Sequence, residues 1–538
     1  MRSINALGKR GWWLAVLFAA ALWVAGCTPV RIERVGGLAS PVPGTATATT
    51  EPTAVPTATE PAPTPGARNV IVAIAEEPGG LDPHLSVAPS SLEITQYIYD
   101  TLVRVDDTGS LQPGLAESWE AGNGGQTWTF RLRKGISFDN GREMVAQDVA
   151  YSLGRLIDPA MASPRAKDYG LIDSITISDT YTVTLHLKEA DETLGFDLTN
   201  DWTAIVPEEA ADQLYEHPIG TGPFRVKEWR KGNYVALERS GQSATSPDPA
   251  VDEVVFRVIP AETDRVAALR AGQVDIVTGL SLTATQQLRG DPNIVLAQAP
   301  SQQVKVLAFN QARPPFDDRR VRQAFCHGID RQAVIAAVWQ GLALPVGSEL
   351  APNMPYYADR LADCPYDVNK AKALLGEAGH AQGLSVTLAV PPDDEYARMA
   401  QEVTRQLAEI GVQVQTQPVD WIVFLNQVYF GRDFSLVTMS HKGKRDPVAS
   451  LERYTSDSQW NYLGYRNPAY DALVKKAAEA ATEDERRSMF ADLQRMLADD
   501  AVAVYLATPL TTVAMRSNIK RCVVSGAGDC DLRRVSKE

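Results

Sequence analysis

The clearest hydrophobic pattern in this chain lies within residues 115–157. Apolar and polar residues alternate at 127–133, which predicts a strand with one buried face, since successive side chains of a strand point to opposite sides. Apolar residues then recur at helical spacing over 145–156, and Asp158 and Pro159 are expected to end that helix. The segment therefore predicts a strand, a short loop and a covering helix.

Two later segments, at residues 254–277 and 412–439, each alternate strand, helix and strand. Such a unit places its two strands parallel in one sheet with a right-handed crossover, so we expect the α/β fold class. Ligands of open α/β sheets bind at loops leaving the carboxyl ends of strands, which indicates the loop at 440–447. The predicted elements are a strand at 254–259, a helix at 263–269 and a strand at 274–277, then a strand at 412–414, a helix at 420–428 and a strand at 434–439.

The length and charge of the chain restrict its class. A chain of 538 residues, 44% of them hydrophobic, is too long for one small core and is expected to fold as two or more lobes. The formal net charge of −14 argues against a nucleic-acid partner, because neutralising phosphates requires a basic face.

The N-terminal part of the chain predicts export. Residues 1–27 have a basic start and an apolar run at 11–24, which is shorter than the roughly 20 residues that span a bilayer. Small residues precede Cys27, as in a lipoprotein signal in which Cys27 receives lipid; an ordinary signal peptide cleaved nearby is the alternative. Residues 28–68 are rich in Thr, Pro and Ala and predict an extended tether. We expect an extracytoplasmic protein that a lipid anchors to the cell membrane.

Four further cysteines lie in the body of the chain, and an even count in an exported protein favours disulfides. Cys522 and Cys530 are close enough in sequence to close a loop, and Cys326 with Cys364 would be the complementary pair. Free buried thiols are the alternative, since connectivity cannot be derived from the sequence alone.

The amino-acid sequences of several segments resemble those of one protein family. LAESWE at 115–120, TWTFRLRKGISFDNG at 127–141, QDVAYSLGRL at 147–156, GTGPFRVKEW at 220–229 and the block at 252–277 are similar to the family 5 solute-binding proteins of ABC importers. That family contains the dipeptide, oligopeptide and nickel receptors. The resemblance implies a monomeric receptor that delivers a small organic solute, a peptide by default, to ABC permease subunits in the membrane.

The same resemblance implies the architecture. We expect a two-lobed periplasmic-binding-protein-like fold of type II, with an extra small domain, around an interlobe cleft. The expected parts are lobe I from 69–104, 201–303 and 500–538, the small extra domain from 105–200, and lobe II from 304–499.

Candidate ligand-binding residues come from the resemblance and from side-chain chemistry. The resemblance places the first loop, at 76–91, near the ligand, the turn at Thr221 beside the cleft, and Trp421 against the ligand. A cleft for a polar solute needs aromatic faces and a few aimed hydrogen-bond groups, although core packing is the alternative for each aromatic residue. The candidates are Val87, Ala88, Pro89, Ser90, Trp202, Thr221, Trp421, Phe424, Ser440, His441, Lys442, Asp446, Trp460 and Asn461.

The loop before Asp446 bears on the class of solute. Peptide-binding members of the family carry an aspartate there that pairs with the peptide amine, and the aligned position holds Gly443. If this loop is shifted by one or two residues relative to those members, Asp446 forms the pair with the peptide amine instead. The loop is otherwise basic, which favours an anionic or hydroxyl-rich solute such as an oligosaccharide, although solvated side chains are the alternative. The basic residues are His441, Lys442, Lys444 and Arg445.

The sequence gives no support to an enzyme. It contains no HExxH, GxSxG, P-loop or CxxC motif, and its six histidines lie singly, without metal-ligand spacing. We therefore expect no catalytic residues, no metal and no cofactor. A sensing or chaperone protein on the same scaffold, acting without transport, is the second hypothesis.

Overall fold

The computed structural model describes residues 66, 68–106, 110–191, 193–241, 243, 245, 248–443, 446–480 and 482–538. The predicted export signal, Cys27 and nearly all of the predicted tether lie outside these residues, as do Lys444 and Arg445. No helix in the described ranges is both long enough and apolar enough to span a bilayer.

The strands of the described residues are β1 (Asn69–Ile74), β2 (Val103–Val105), β3 (Leu111–Pro113), β4 (Ala116–Gly122), β5 (Thr127–Leu132), β6 (Ile172–Asp179), β7 (Thr182–Leu187), β8 (Phe224–Arg230), β9 (Tyr234–Arg239), β10 (Glu253–Val258), β11 (Ile276–Val277), β12 (Ile294–Pro300), β13 (Gln303–Phe309), β14 (Ala343–Pro345), β15 (Leu384–Val390), β16 (Val412–Pro418), β17 (Leu436–Lys442), β18 (Ala503–Arg516), β19 (Ile519–Lys520) and β20 (Ser536–Lys537).

The α-helices of the described residues are α1 (Pro89–Thr95), α2 (Ala146–Ile157), α3 (Leu194–Asp197), α4 (Glu262–Arg270), α5 (Leu282–Leu288), α6 (Arg319–His327), α7 (Arg331–Trp339), α8 (Val368–Glu377), α9 (Asp394–Glu409), α10 (Trp421–Val423), α11 (Pro447–Leu451), α12 (Pro468–Ala478) and α13 (Glu483–Asp499). A π-helix, Phe424–Phe430, continues α10, so the helix predicted at 420–428 is present but is wound more widely than an α-helix.

A 12-stranded sheet runs through the described residues, and β18 joins its two halves. Residues 503–509 of β18 pair with β13 and β14, and residues 510–516 pair with β12 and β11. We call the half with β1 and β8–β12 lobe I and the half with β13–β17 lobe II. The predicted assignment of all of 500–538 to lobe I is therefore wrong for residues 503–509, because one long strand serves both halves.

Both predicted strand–helix–strand units are present, and each contains an additional strand. β10 and β11 lie on either side of β1 and parallel to it, and β16 and β17 lie on either side of β15 and parallel to it. The local pattern predicted the parallel direction. It carried no information on the third strand, which is β1, far earlier in the chain, in the first unit and β15, which directly precedes α9 and β16, in the second.

A separate four-stranded sheet, in the order β4-β5-β7-β6, forms the small domain with α2. The predicted face of β5 is buried, with Trp128 3% exposed and Phe130 fully covered. Val149 and Leu153 of α2 are also fully buried. Burial of each such side chain contributes about 1.5–3 kcal/mol. Because these buried positions must be apolar and the exposed ones need not be, the hydrophobic pattern of this segment is clear in the sequence.

A buried charged cluster attaches the small domain to lobe I. The Arg155 guanidinium on α2 donates to both carboxylate oxygens of Asp82, at 2.9 and 2.5 Å, and to His84 Nδ1 at 2.8 Å. His84 Nε2 donates to the Ala204 carbonyl at 2.9 Å. Burial lowers the pKa of His84 to about 4, so the ring is neutral. Asp82 of the first loop therefore has a structural partner.

Both predicted disulfides are present. Cys326 and Cys364 have Cα atoms 6.2 Å apart, and Cys522 and Cys530 have Cα atoms 5.4 Å apart. The Tyr97 hydroxyl donates to the Cys530 carbonyl at 2.7 Å. This hydrogen bond holds the loop that Cys522 and Cys530 close against lobe I.

Candidate functional site

A cleft of about 2330 Å³ opens between lobe I, the small domain and lobe II. Lobe I contributes α1 and the disulfide-closed loop at 525–529. The small domain contributes residues between 165 and 202, and lobe II contributes residues between 442 and 479. All three parts of the fold therefore meet at one cavity.

The structure divides the fourteen candidate residues into two groups. Those that line the cleft are Val87, Pro89, Ser90, Trp202, Lys442, Asp446 and Trp460. Those that are not among its lining residues are Ala88, Thr221, Trp421, Phe424, Ser440, His441 and Asn461. Local packing accounts for the second group.

His441 faces the interior of lobe II. Its Nδ1 lies 2.7 Å from the Glu349 carboxylate and its Nε2 lies 2.7 Å from the Tyr462 hydroxyl. Successive residues of β17 alternate in direction, so Lys442 turns to the cleft while His441 turns inward. Burial lowers the pKa of His441. His441 is therefore buried inside lobe II and is not among the residues that line the cleft.

Glu349 is the centre of that interior cluster. Arg453 Nη1 donates to it at 2.9 Å and the Tyr454 hydroxyl at 2.5 Å. Burial alone would raise the pKa of Glu349, but the Arg453 charge and the hydrogen bonds from His441 and Tyr454 outweigh burial and lower it. The cluster fixes His441, Arg453 and Tyr454, which lie in sequence on either side of the cleft-lining residues Asp446, Val448 and Glu452.

Trp421 and Phe424 stack on each other, with ring centroids 5.2 Å apart, rather than on the cleft. Phe424 is only 2% exposed and belongs to the lobe II core, whereas Trp421 is 51% exposed. For Phe424, core packing is therefore the correct interpretation.

Thr221 belongs to a buried turn. Its hydroxyl donates to Asp100 at 3.0 Å, and a Cβ at Gly220 would overlap the Ile98 carbonyl oxygen. The glycines of this motif therefore permit close backbone packing.

The remaining polar candidates have local partners. Asn461 Nδ2 donates to the carbonyls of Thr455 and Tyr465, at 3.0 and 2.8 Å. The Ser440 hydroxyl donates to Gln303 at 3.1 Å. Ala88 precedes α1 and is half-buried.

The structure separates the roles of Gly443 and Asp446. A Cβ at Gly443 would overlap the sulfur of Met354, so a side chain at this position would require the flexible end of Met354 to move. Asp446 accepts from the Val448 amide at 2.9 Å and begins α11, and it also lines the cleft. Burial raises the pKa of Asp446 to about 6.

Acidic residues dominate the cleft. Among the described residues, its lining contains thirteen Asp or Glu residues and five Lys or Arg residues. Glu93 of α1 and Asp529 of the disulfide loop belong to the lobe I wall, and burial together with the Asp529 charge raises the pKa of Glu93 to about 7. Burial also raises the pKa of Asp100. The sequence analysis missed these carboxylates, although the proximity of Asp529 to Cys530 could have indicated one of them.

The aromatic faces of the cleft come from opposite sides. Trp202 of the small domain donates its indole N–H to the Tyr169 hydroxyl at 2.9 Å. Trp460 of lobe II is 44% exposed and contacts the rings of Tyr429 and Phe430, with centroids 6.5 and 6.3 Å away. Within the described ranges, no group of three or more His, Cys, Asp or Glu residues could hold a metal ion.

Comparison with known proteins identifies the family. Residues 110–462 match the family model described as bacterial extracellular solute-binding proteins, family 5. The chain is 28% identical over 498 residues to heme-binding protein A of Haemophilus influenzae, covering 84% of this chain and 89% of that protein. It is 28% identical over 518 residues to the dipeptide-binding protein of Escherichia coli, covering 88% and 95%.

A solved structure supports the architecture. HbpA2 from Haemophilus parasuis superposes with a TM-score of 0.81 at 23% identity, over 87% of this chain and all of that chain. The predicted two-lobed fold of type II is thereby confirmed. The two curated relatives are named for what they bind, and neither is named for a reaction. The chain belongs to family 5 of the bacterial extracellular solute-binding proteins.

Proposed function

We propose that this protein is a membrane-anchored extracytoplasmic receptor that captures a solute bearing a positively charged amine, a peptide by default, and delivers it to an ABC importer. The observation that carries the proposal is that, in the part of the lining that the structure describes, thirteen carboxylic acids stand against five basic side chains. One related protein of known ligand is named as a dipeptide-binding protein.

The physical argument is electrostatic. A concave surface lined mainly by one sign of charge concentrates ions of the opposite sign and accelerates their binding. A hydrogen bond between an ammonium group and a carboxylate is roughly twice as strong as one between neutral groups. Asp446, Glu93 and Asp529 offer such carboxylates on both sides of the cleft.

The size of the cleft fits reversible capture. Its volume of about 2330 Å³ exceeds the ~300–1,000 Å³ of an ordinary small-molecule pocket. It therefore has room for a solute of several residues, or for lobes that approach each other once the solute is present.

The basic loop gives less support to an anionic solute than its composition indicated. His441 points away from the cleft and is buried. Lys442 is the one basic residue of this loop, among its described positions, that lines the cleft. The proposal therefore favours a cationic group.

Native mass spectrometry of the purified chain tests the proposal. We expect a co-purifying solute with a free amine, which calorimetry then shows to bind again after removal. Asp446→Asn should weaken that binding, with Asp433→Asn, at an exposed surface position, as the control. A bound solute without a basic group, or binding unaffected by Asp446→Asn and by Glu93→Gln, would contradict the proposal.

A further inference from the structure

Arg165 and Trp202 form a stacked pair in the wall of the cleft. The Arg165 guanidinium carbon lies 4.3 Å from the centroid of the Trp202 ring, and both residues line the cavity. An arginine stacked on an indole is attracted by the negative face of the ring. The stacking also fixes the plane in which the guanidinium presents its N–H groups.

Both members of the pair are held in place. Trp202 donates its indole N–H to the Tyr169 hydroxyl at 2.9 Å, and that hydroxyl donates to the Asp197 carbonyl at 2.9 Å. The Arg165 backbone amide donates to Ser163 Oγ at 3.3 Å. The Trp202 ring is therefore held by a side-chain hydrogen bond, and Arg165 is held at its backbone with its guanidinium against that ring.

Apart from the Trp202 ring, no side chain in the described part of the chain pairs with the Arg165 guanidinium. Its Nε is buried without a hydrogen-bond acceptor, and no carboxylate of the described residues forms an ion pair with it. The other cleft arginines differ, because Arg104 donates to the Thr245 carbonyl at 2.6 Å and Arg533 to Asp531 at 2.6 Å. Because the Nε is itself covered by protein, the terminal N–H groups of the Arg165 guanidinium are the donors that a solute in the cleft can reach.

We propose that Arg165, presented by Trp202, binds a carboxylate of the solute. A guanidinium held in one plane matches a carboxylate through two parallel hydrogen bonds. The acidic remainder of the cleft would meet the amine of the same solute, so the captured molecule is a zwitterion, such as a peptide with free ends. This inference rests on the proposed function and adds the group that the small domain recognises.

The test compares solutes that differ only in the carboxylate. A pool of tripeptides with free C-termini and the same pool amidated at the C-terminus are titrated into the full chain in a calorimeter. We expect the free-acid pool to bind at least ~10-fold more tightly than the amidated pool, as expected for a charge-assisted hydrogen-bonded contact.

Three variants test whether Arg165 is responsible for the preference for tripeptides with a free C-terminus. Arg165→Gln should abolish it, and Arg165→Lys should retain part of it, because an ammonium keeps the charge but loses the bidentate geometry. Arg131→Gln is the control, since Arg131 is exposed on β5 of the same small domain and is not among the residues that line the cleft. A preference that survives in Arg165→Gln, or that disappears in Arg131→Gln as well, would overturn the inference.

A second measurement separates this inference from the proposed function. The chain with ¹⁵N-labelled arginine is titrated with sodium acetate and, at equal ionic strength, with sodium chloride. We expect acetate alone to shift, saturably, the Nε–H resonance that is lost in Arg165→Lys. Equal shifts in both salts would refute the carboxylate site. If the chain binds neither tripeptide pool but the Arg165 resonance still shifts with acetate, peptide capture is refuted. The carboxylate site at Arg165 is then retained.

Discussion

At the scale of single residues, charges in the interior are matched by partners far away in sequence. Asp82 and Arg155 are 2% and 7% exposed and pair across 73 positions. Removing one member leaves the other as an uncompensated buried charge, which costs far more than the loss of a surface pair.

Asp82→Asn should therefore lower the free energy of unfolding by about 3–5 kcal/mol, measured by urea denaturation. Asp433→Asn, which removes an ion pair whose members are 53% and 69% exposed, should change it by less than about 1 kcal/mol. Equal effects of the two variants would show that the buried cluster does not hold the small domain to lobe I.

Glu93 makes stability depend on pH. Burial raises the pKa of Glu93 to about 7 from an ordinary value of 4.5, so between these values the folded state holds a proton that the unfolded state has lost. The free energy of unfolding therefore falls as the pH rises from about 4.5 to about 7.

Glu93→Gln should remove that part of the pH dependence, because glutamine carries no proton to lose. Denaturant unfolding at several pH values between 4.5 and 8 measures it, with Glu117→Gln, at an exposed position on β4, as control. If the free energy of unfolding changes with pH in the same way for the wild type and for Glu93→Gln, the raised pKa of Glu93 is contradicted.

The sequence indicated some of the cleft residues and not others. Val87, Pro89, Ser90 and Trp202 were found through the resemblance and through side-chain type, and they line the cleft. His441 was misplaced because its partner Glu349 lies 92 positions earlier, and no local pattern indicates such a pairing.

At the scale of elements, hydrophobic periodicity predicted the strand and helix within 127–156 and both strand–helix–strand units. It did not indicate that β1 and β15 each lie between the two strands of such a unit. β1 is far from β10 in the sequence, so no local pattern links these two strands. Nor did the periodicity indicate that β18 belongs to both lobes.

The two disulfides should have different effects on binding. The loop closed by Cys522 and Cys530 contributes residues 525–529 to the cleft, whereas Cys326 and Cys364 are not among the lining residues. Loss of the first disulfide releases that loop, and ordering it again on binding costs about 0.5–1.5 kcal/mol for each side chain.

We expect the Cys522→Ser and Cys530→Ser double variant to bind the solute about 2–10-fold more weakly by calorimetry. The Cys326→Ser and Cys364→Ser double variant should keep its affinity and lose about 2–4 kcal/mol of stability. If the Cys522→Ser and Cys530→Ser double variant keeps its affinity and the Cys326→Ser and Cys364→Ser double variant loses it, the 525–529 loop makes no contribution to solute binding.

At the scale of the whole molecule, the chain has a net charge of −14 and its cleft lining is also mostly acidic. Length and composition predicted several lobes, and the resemblance predicted their arrangement. The acidity of the cleft could not be predicted, because its carboxylates come from separate elements of both lobes and of the small domain.

The proposed membrane anchor depends on Cys27. Attached acyl chains contribute about 0.8 kcal/mol for each buried CH₂, so Cys27→Ser should move the protein from the membrane fraction to the soluble fraction and abolish incorporation of labelled palmitate. Cys326→Ser is the control. A Cys27→Ser protein that remains in the membrane fraction would contradict lipid anchoring.

The most direct test of amine capture is a calorimetric comparison of one tripeptide pool with free N-termini and the same pool N-acetylated. The acidic cleft predicts that the free pool binds at least ~10-fold more tightly, because acetylation removes the charge that the carboxylates meet. Equal binding of the two pools, or tighter binding of the acetylated pool, would contradict it.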